Sequence, residues 1–217
     1  MIPKIVFEDN HIIVAIKPPN VPSQEDSSGD PDMLSLLKSY IKEKYSKPGK
    51  VFLGLLHRLD RPAQGIMVFA RTSKAAARLS KQISEHTFKK SYLAIVNKSV
   101  SAATLVDYMI KDTQKNISRV VSKDYPEAKK AELSFSPINT VDELTLLDIS
   151  LKTGRPHQIR VQLSGIGAPI LGDKKYGGAE SKNLCLLAKK IEFTHPTTKE
   201  FMSFETDIPS EYPWNLF

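Results

Sequence analysis

The chain has 217 residues, of which 41% are hydrophobic and 25% charged, the make-up of an ordinary globular protein long enough to bury a sizeable core. No run approaches the length of a membrane span, no apolar leader with a cleavage signal opens the sequence, and a lone cysteine, Cys185, excludes an internal disulfide. Lysine and arginine exceed the acids by 31 to 24; the net charge of +7 suits a polyanion, most simply nucleic acid, and suits a soluble basic protein without such a partner about equally well.

Lys4–Glu8 and residues 11–17 are β-rich runs around the turn signal Asp9-Asn10, and they predict a hairpin that ends at Pro18-Pro19. Residues 20–31 are polar and proline-rich, hence a loop. Asp32 is placed to cap a helix that runs to about Tyr45. Met33, Leu36, Leu37, Tyr40 and Ile41 give it an apolar stripe, and Lys38, Lys42 and Lys44 form its solvated side. Two short apolar runs, residues 51–56 and 66–70, then predict buried strands on either side of a polar loop, His57-Arg58-Leu59-Asp60-Arg61-Pro62-Ala63-Gln64-Gly65. Pro62 fixes a backbone angle there, and Gly65 allows a tight exit. Asp60, the only acid of the loop, stands among two arginines and a histidine. On these residues alone an ordinary surface ion pair is the simpler account, and a charge held in place for chemistry is the sharper one.

Thr72 caps a second predicted helix over residues 73–86, with Ala76, Leu79 and Ile83 inward. Residues 90–96 predict a strand with Tyr92, Ala94 and Val96 on one face, where Tyr92 reads first as a packing residue. Residues 105–110, 117–122, 131–139 and 144–152 predict further strands. The charged connection 123–130 is either a hairpin tip or a finger toward a partner. Pro156 is expected in the first turn of a short helix over residues 157–164, with Ile159, Leu163 and Ile166 inward. His157 and Arg160, three apart, share a neighbouring face. The free amides of that helix, with Arg155 beside them, suit a phosphate. Residues 183–193 and 200–206 are the last strands, and the tail bearing Trp214 packs over the body. Runs of strands interrupted by three helices, without βαβ alternation, give an α+β fold, a mixed and largely antiparallel central sheet flanked by a few helices.

Much chemistry is missing. Five histidines and one cysteine are scattered without ligand spacing, so no metal is expected. No phosphate-binding glycine loop, dinucleotide turn or nucleophile elbow is present. No second acid presents itself for a glycosidase pair. What remains is Asp60 in its basic loop and a helix that bears Arg155, His157, Gln158 and Arg160.

Those two stretches, His57-Arg58-Leu59-Asp60 with Gly65 and Thr153-Gly154-Arg155-Pro156-His157-Gln158-Ile159-Arg160, resemble the two main signatures of the RluA-type RNA pseudouridine synthases. Glu8-Asp9 to Lys17-Pro18, Lys90-Ser91-Tyr92-Leu93-Ala94, Gly172-Asp173 with Tyr176-Gly177, and His195-Pro196 resemble further stretches of the family, in the same order. The resemblance implies a pseudouridine-synthase-like catalytic fold. It implies one catalytic domain over residues 1–217 with a central cleft and no N-terminal RNA-binding extension. The implied reaction isomerises uridine to pseudouridine in structured RNA, tRNA or rRNA, with neither metal nor organic cofactor.

By the same resemblance Asp60 is the catalytic aspartate, Arg160 the arginine that pairs with it, and Tyr92 the tyrosine beside the base. Arg58, Arg61, Arg155, His157 and Gln158 are then expected RNA contacts. The expected partner is RNA, with no membrane and no protein partner, and the protein is expected to be a cytoplasmic monomer. Ala63 and Gln64 stand where the family often has Thr-Ser, Arg61-Pro62 replaces a more usual polar pair, Pro156 stands where Thr or Ser is common, and Leu187 stands where a histidine is frequent. Ala63, Gln64 and Leu187 favour one rival, a non-catalytic RNA-binding or assembly protein on the same fold; a glycosidase that stops at base release is a second.

Overall fold

The computed structural model describes residues 2–217. In chain order the elements are β1 (Lys4–Glu8), β2 (Ile12–Lys17), α1 (Met33–Lys44), β3 (Gly54–Leu55), β4 (Gln64–Ala70), α2 (Ser73–Ser84), β5 (Lys89–Val96), β6 (Ala103–Asp112), β7 (Ile117–Val121), β8 (Lys129–Val141), β9 (Leu144–Leu151), α3 (Gln158–Gly165), β10 (Leu186–Thr194) and β11 (Phe201–Glu205), with a 3₁₀ turn at Trp214–Leu216. The class is α+β, as expected. Two compact units divide the chain: residues up to Lys90 with Ala188–Asp207, and Ser91–Leu187 with Ile208–Phe217. No helix of the described residues is long and apolar enough to cross a membrane.

In the first unit the strands lie in the order β1, β2, β4, β10, β11, with β3 on β4. The runs of β2 and β4 are apolar at nearly every position because both faces are covered. Ile12, Val14, Ile66 and Val68 join Leu79 of α2, Ile191 and Phe193 in one cluster, while Ile13, Ala15, Met67 and Phe69 are equally buried on the opposite face. Both helices begin where the caps predict. The Asp32 carboxylate accepts the amides of Leu34 and Ser35, and the Ser35 hydroxyl completes a capping box; the Thr72 hydroxyl accepts the amide of Ala75. Glu8, at the end of β1, accepts from Tyr40, Lys44, Tyr45 and Arg71, which ties α1 to the strand ends.

The second unit is an antiparallel sheet in the order β5, β9, β8, β6, β7. Val161 of α3 packs on Met109 and Ala131 beside Tyr176, and Trp214 is buried in this unit.

Some boundaries differ from the sequence reading. Of the expected strand 51–56 only Gly54 and Leu55 pair, with Ala70 and Phe69, and Phe52 is half exposed; apolarity alone does not supply a neighbouring strand. The strand expected from Ile66 starts two residues earlier, so Gln64 and Gly65 belong to β4. Cys185 lies just outside β10, buried. The short helix starts at Gln158, and His157 is its N-cap in the left-handed region (φ 54°), which places Pro156 ahead of the first turn. Ile166 falls at the C-cap and is exposed rather than inward.

Gly65 is where a side chain is least tolerable. Its φ is +127°, and a Cβ would lie 2.3 Å from the carbonyl oxygen of Ala188. Gly65→Ala is expected to cost roughly 2–4 kcal/mol through strain and backbone displacement, read as a fall in the urea midpoint at constant slope.

Candidate active site

Asp60 is half-buried, and the backbone on both sides of it is tied down. The Ala63 amide donates to the Asp60 carbonyl at 3.0 Å, closing a turn over Arg61-Pro62. The Ser23 hydroxyl donates to the Leu59 carbonyl at 2.8 Å and accepts the Leu59 amide at 3.1 Å. Lys17, the last residue of β2, donates from Nζ to the carbonyls of Arg61 at 2.9 Å and Ala63 at 2.6 Å, and to that of Pro18 at 3.0 Å. Residues 59, 61 and 63 are thereby each fixed from outside the loop. The carboxylate between them is carried on a backbone with little freedom.

The other charges of this loop have different roles. His57 is buried at its base against Phe88, and its Nε2 accepts the Val68 amide at 3.3 Å. Burial, with Lys90 adding to it, pushes the His57 pKa down to about 3. The ring is therefore neutral at working pH, with its proton on Nδ1, and it acts as a plug in the core. Arg58 is exposed. Arg61 reaches back to the 20–31 loop, pairing with Asp26 at 3.3 Å and with Asp30, and donating to Ser28 at 2.8 Å. These ion pairs of Arg61 lie in an exposed setting, where such pairs stabilise by at most about 1 kcal/mol.

The second motif forms its own cluster within the second unit. Arg160 is 5% exposed, and its Nε and Nη2 each donate to the Asp173 carboxylate at 2.7 Å, a bidentate pair inside the protein. The guanidinium lies over the Tyr176 ring, 5.0 Å from its centroid. The Tyr176 hydroxyl accepts the Ser118 amide at 2.9 Å and sits 2.7 Å from Nδ1 of His157. His157 and Arg160 therefore do share a neighbour, Tyr176. Asp173 is held by Gly172, where φ is +79° and a Cβ would meet the Asn183 carbonyl oxygen at 2.1 Å. Tyr92 is 6% exposed on β5, opposite Ile149 of β9.

Gln158, expected at the RNA, is turned inward and is 3% exposed. Its Oε1 accepts from the Thr153 hydroxyl at 2.7 Å and the Arg155 amide at 2.9 Å, and its Nε2 donates to Gln162 at 3.0 Å. Gln162 in turn donates to Asp107 at 2.6 Å. This chain of amides shapes the approach to α3, and it occupies one of the amides assigned to a phosphate. Arg155 is half-buried, with Nε on the Lys130 carbonyl at 2.8 Å.

Four residues that matter here carried little signal of their own. Lys17, Asp173 and Tyr176 stood out only as parts of weaker motif matches, and Ser23 lay in an apparently featureless loop.

The chain belongs to the RNA pseudouridylate synthase family, whose model matches residues 11–165, and within it to the RluA type. It is an RNA pseudouridine synthase. It is 29% identical over 221 residues to ribosomal large subunit pseudouridine synthase D of Zymomonas mobilis, covering 96% of this chain and 70% of that protein. It is 30% identical over 174 residues to tRNA pseudouridine synthase C of Vibrio parahaemolyticus, covering 70% of this chain and 71% of that one. The solved structure of human RNA pseudouridylate synthase domain containing 4 shares the fold, with a TM-score of 0.81 at 21% identity over 98% of this chain and 91% of that one.

Proposed function

We propose that this synthase acts on tRNA or ribosomal RNA in the cytoplasm, as a monomer, with Asp60 as nucleophile, Arg160 as the cation matched to it and Tyr92 beside the target base. The observation that carries the reading is the clamp on the Asp60 loop at residues 59, 61 and 63. A nucleophile gains most from being held still before the substrate arrives. The names of the Zymomonas and Vibrio relatives support the two RNA classes.

The reaction breaks the bond between the sugar and N1, turns the base, and joins the sugar to carbon instead. A proton leaves that carbon and one returns to nitrogen, so no electrons are gained or lost and no redox cofactor is needed for balance. Asp60 must remain ionised when a base covers it. Burial raises a carboxyl pKa and a neighbouring cation lowers it, which is the work assigned to Arg160. The base must leave its stack to reach the acid. Arg58, Arg155 and His157 are the side chains proposed to meet the RNA, and Arg61 joins them by exchanging its surface acids for phosphate. Gln158 serves by shaping the loop in front of α3.

The test is the purified chain on unmodified tRNA and rRNA carrying tritium at carbon 5 of uridine. Tritium release with pseudouridine in the product, and no free uracil, is expected from one of the two. Free uracil would establish the glycosidase rival, and RNA binding without release from either RNA would establish the non-catalytic one.

A further inference from the structure

Helix α1 and the segment after it, residues 33–51, carry five lysines and one acid, Glu43. Lys44 is matched with Glu8 at 2.9 Å. The helix stops at Tyr45, Ser46 turns through the left-handed region (φ 47°), and the Lys47 amide donates to the Lys42 carbonyl at 3.1 Å. The chain is thereby folded back on α1. Lys38 and Lys42, one helical turn apart, and Lys50 on the returning segment line an open groove of about 390 Å³, with Ser39 and Gly49 in its wall.

No acid lines this groove, and among the described residues none of its three lysines makes an ion pair. Surface lysines elsewhere are matched, Lys81 with Glu85, Lys182 with Glu211 and Lys190 with Glu192. Three ammonium groups around one concavity repel one another, and an anion bound among them removes that repulsion. A phosphodiester backbone supplies such charges at short, regular intervals.

The position of the groove, within the first unit, favours RNA. Helix α1 starts beside the Asp60 loop: the Met33 amide donates to the Pro22 carbonyl, and the neighbouring Ser23 holds Leu59. It ends at the far end of β2 and β4, where Tyr40 and Lys44 meet Glu8. From Asp32 to Lys42 the helix advances about 15 Å, roughly the rise of four nucleotides along one strand.

We propose that this groove binds the phosphate backbone of the substrate RNA a few nucleotides from the target uridine, with Lys38, Lys42 and Lys50 as the phosphate contacts. This rests on the chain acting on RNA, and not on which residue attacks.

The first arm measures Kd by filter binding across a salt series, and kcat and KM, with the unmodified tRNA and rRNA of the activity assay. The triple variant Lys38→Gln, Lys42→Gln, Lys50→Gln should raise Kd about tenfold at physiological salt and lower the slope of log Kd against log salt by about 2 to 3. KM should rise with Kd, while kcat at saturating RNA stays within about twofold, because these contacts are made equally before and during the reaction. Gly49→Glu adds a carboxylate to the wall and leaves every lysine in place. The φ of Gly49 is not positive, and a Cβ there would meet no heavy atom within 4 Å, so the fold accepts it. It should weaken RNA binding in the same direction. Lys81→Gln, Lys182→Gln and Lys190→Gln together remove as much charge from lysines that already have acids, and should change Kd less than about twofold. Groove variants with the wild-type Kd and salt slope overturn the proposal, and so does an equal loss in the charge-matched control.

The second arm uses wild type alone. Acetylation by a water-soluble ester, read by peptide mass spectrometry, should slow at Lys38, Lys42 and Lys50 when RNA is present and stay unchanged at Lys81. Equal protection by inorganic phosphate at the same ionic strength would assign the groove to a free anion and overturn RNA as its occupant. A chain that isomerises uridine while the three lysines stay unprotected overturns the groove alone, whereas a chain that binds neither RNA overturns the functional reading with it.

Discussion

Asp60→Asn should reduce pseudouridine formation to about one ten-thousandth of wild type or less, with the fold and RNA affinity intact. The substitution keeps the size of the side chain and removes the charge and the oxygen proposed to attack. The restraints on its neighbours fall on backbone atoms of Leu59, Arg61 and Ala63, and the substitution leaves those in place. Single-turnover tritium release measures the chemistry, and filter binding on the same RNA measures affinity. A variant within tenfold of wild type would remove Asp60 from the mechanism. A variant that also loses RNA binding would show that the acid organises the RNA site rather than the chemistry.

Asp173→Ala should be the most damaging substitution around the second motif outside the proposed reacting groups. The Asp173 side chain is fully buried, and the Arg160 guanidinium it holds is nearly so, with side-chain exposures of 0% and 6%. Deleting one member of a buried, bidentate pair costs about 3–5 kcal/mol. Urea unfolding of Asp173→Ala should show that loss, and Asp173→Asn, which keeps acceptors for Lys175 and Tyr176 amides, a smaller one. Activity should fall in both, since Arg160 loses the group that sets its fork. A change below about 1 kcal/mol would mean that the pair is no more than a surface contact in solution.

Some of this was legible in the residues and some was not, for physical reasons. Asp32 and Thr72 announce their helices because capping is a local exchange between a side chain and amides two or three residues on. The apolar run 66–70 announces a buried strand, which is what the structure shows. Phe52 misleads because a strand needs a partner, and residues 51–53 have none in the ladder with β4. Pro156 misleads because the turn into α3 passes through a left-handed His157, a conformation that histidine adopts only occasionally and sequence does not mark.

The two motif signatures pointed to Asp60 and Arg160, but not to what fixes them. Lys17 acts on carbonyls 44 and 46 positions away, and Asp173 meets Arg160 from 13 positions on. A buried lysine and a solvated one look alike until the fold is known. Gln158 shows the same ambiguity in reverse, a polar side chain beside arginines that spends its amide inside the protein.

The most direct test of the account is pseudouridine mapping across the RNA of cells that carry the wild-type chain, lack it, or carry Asp60→Asn in its place. The account predicts one or more uridines in tRNA or rRNA that are isomerised with the wild-type chain and left as uridine in the other two. Identical maps in all three, or sites that persist with Asp60→Asn, would contradict it.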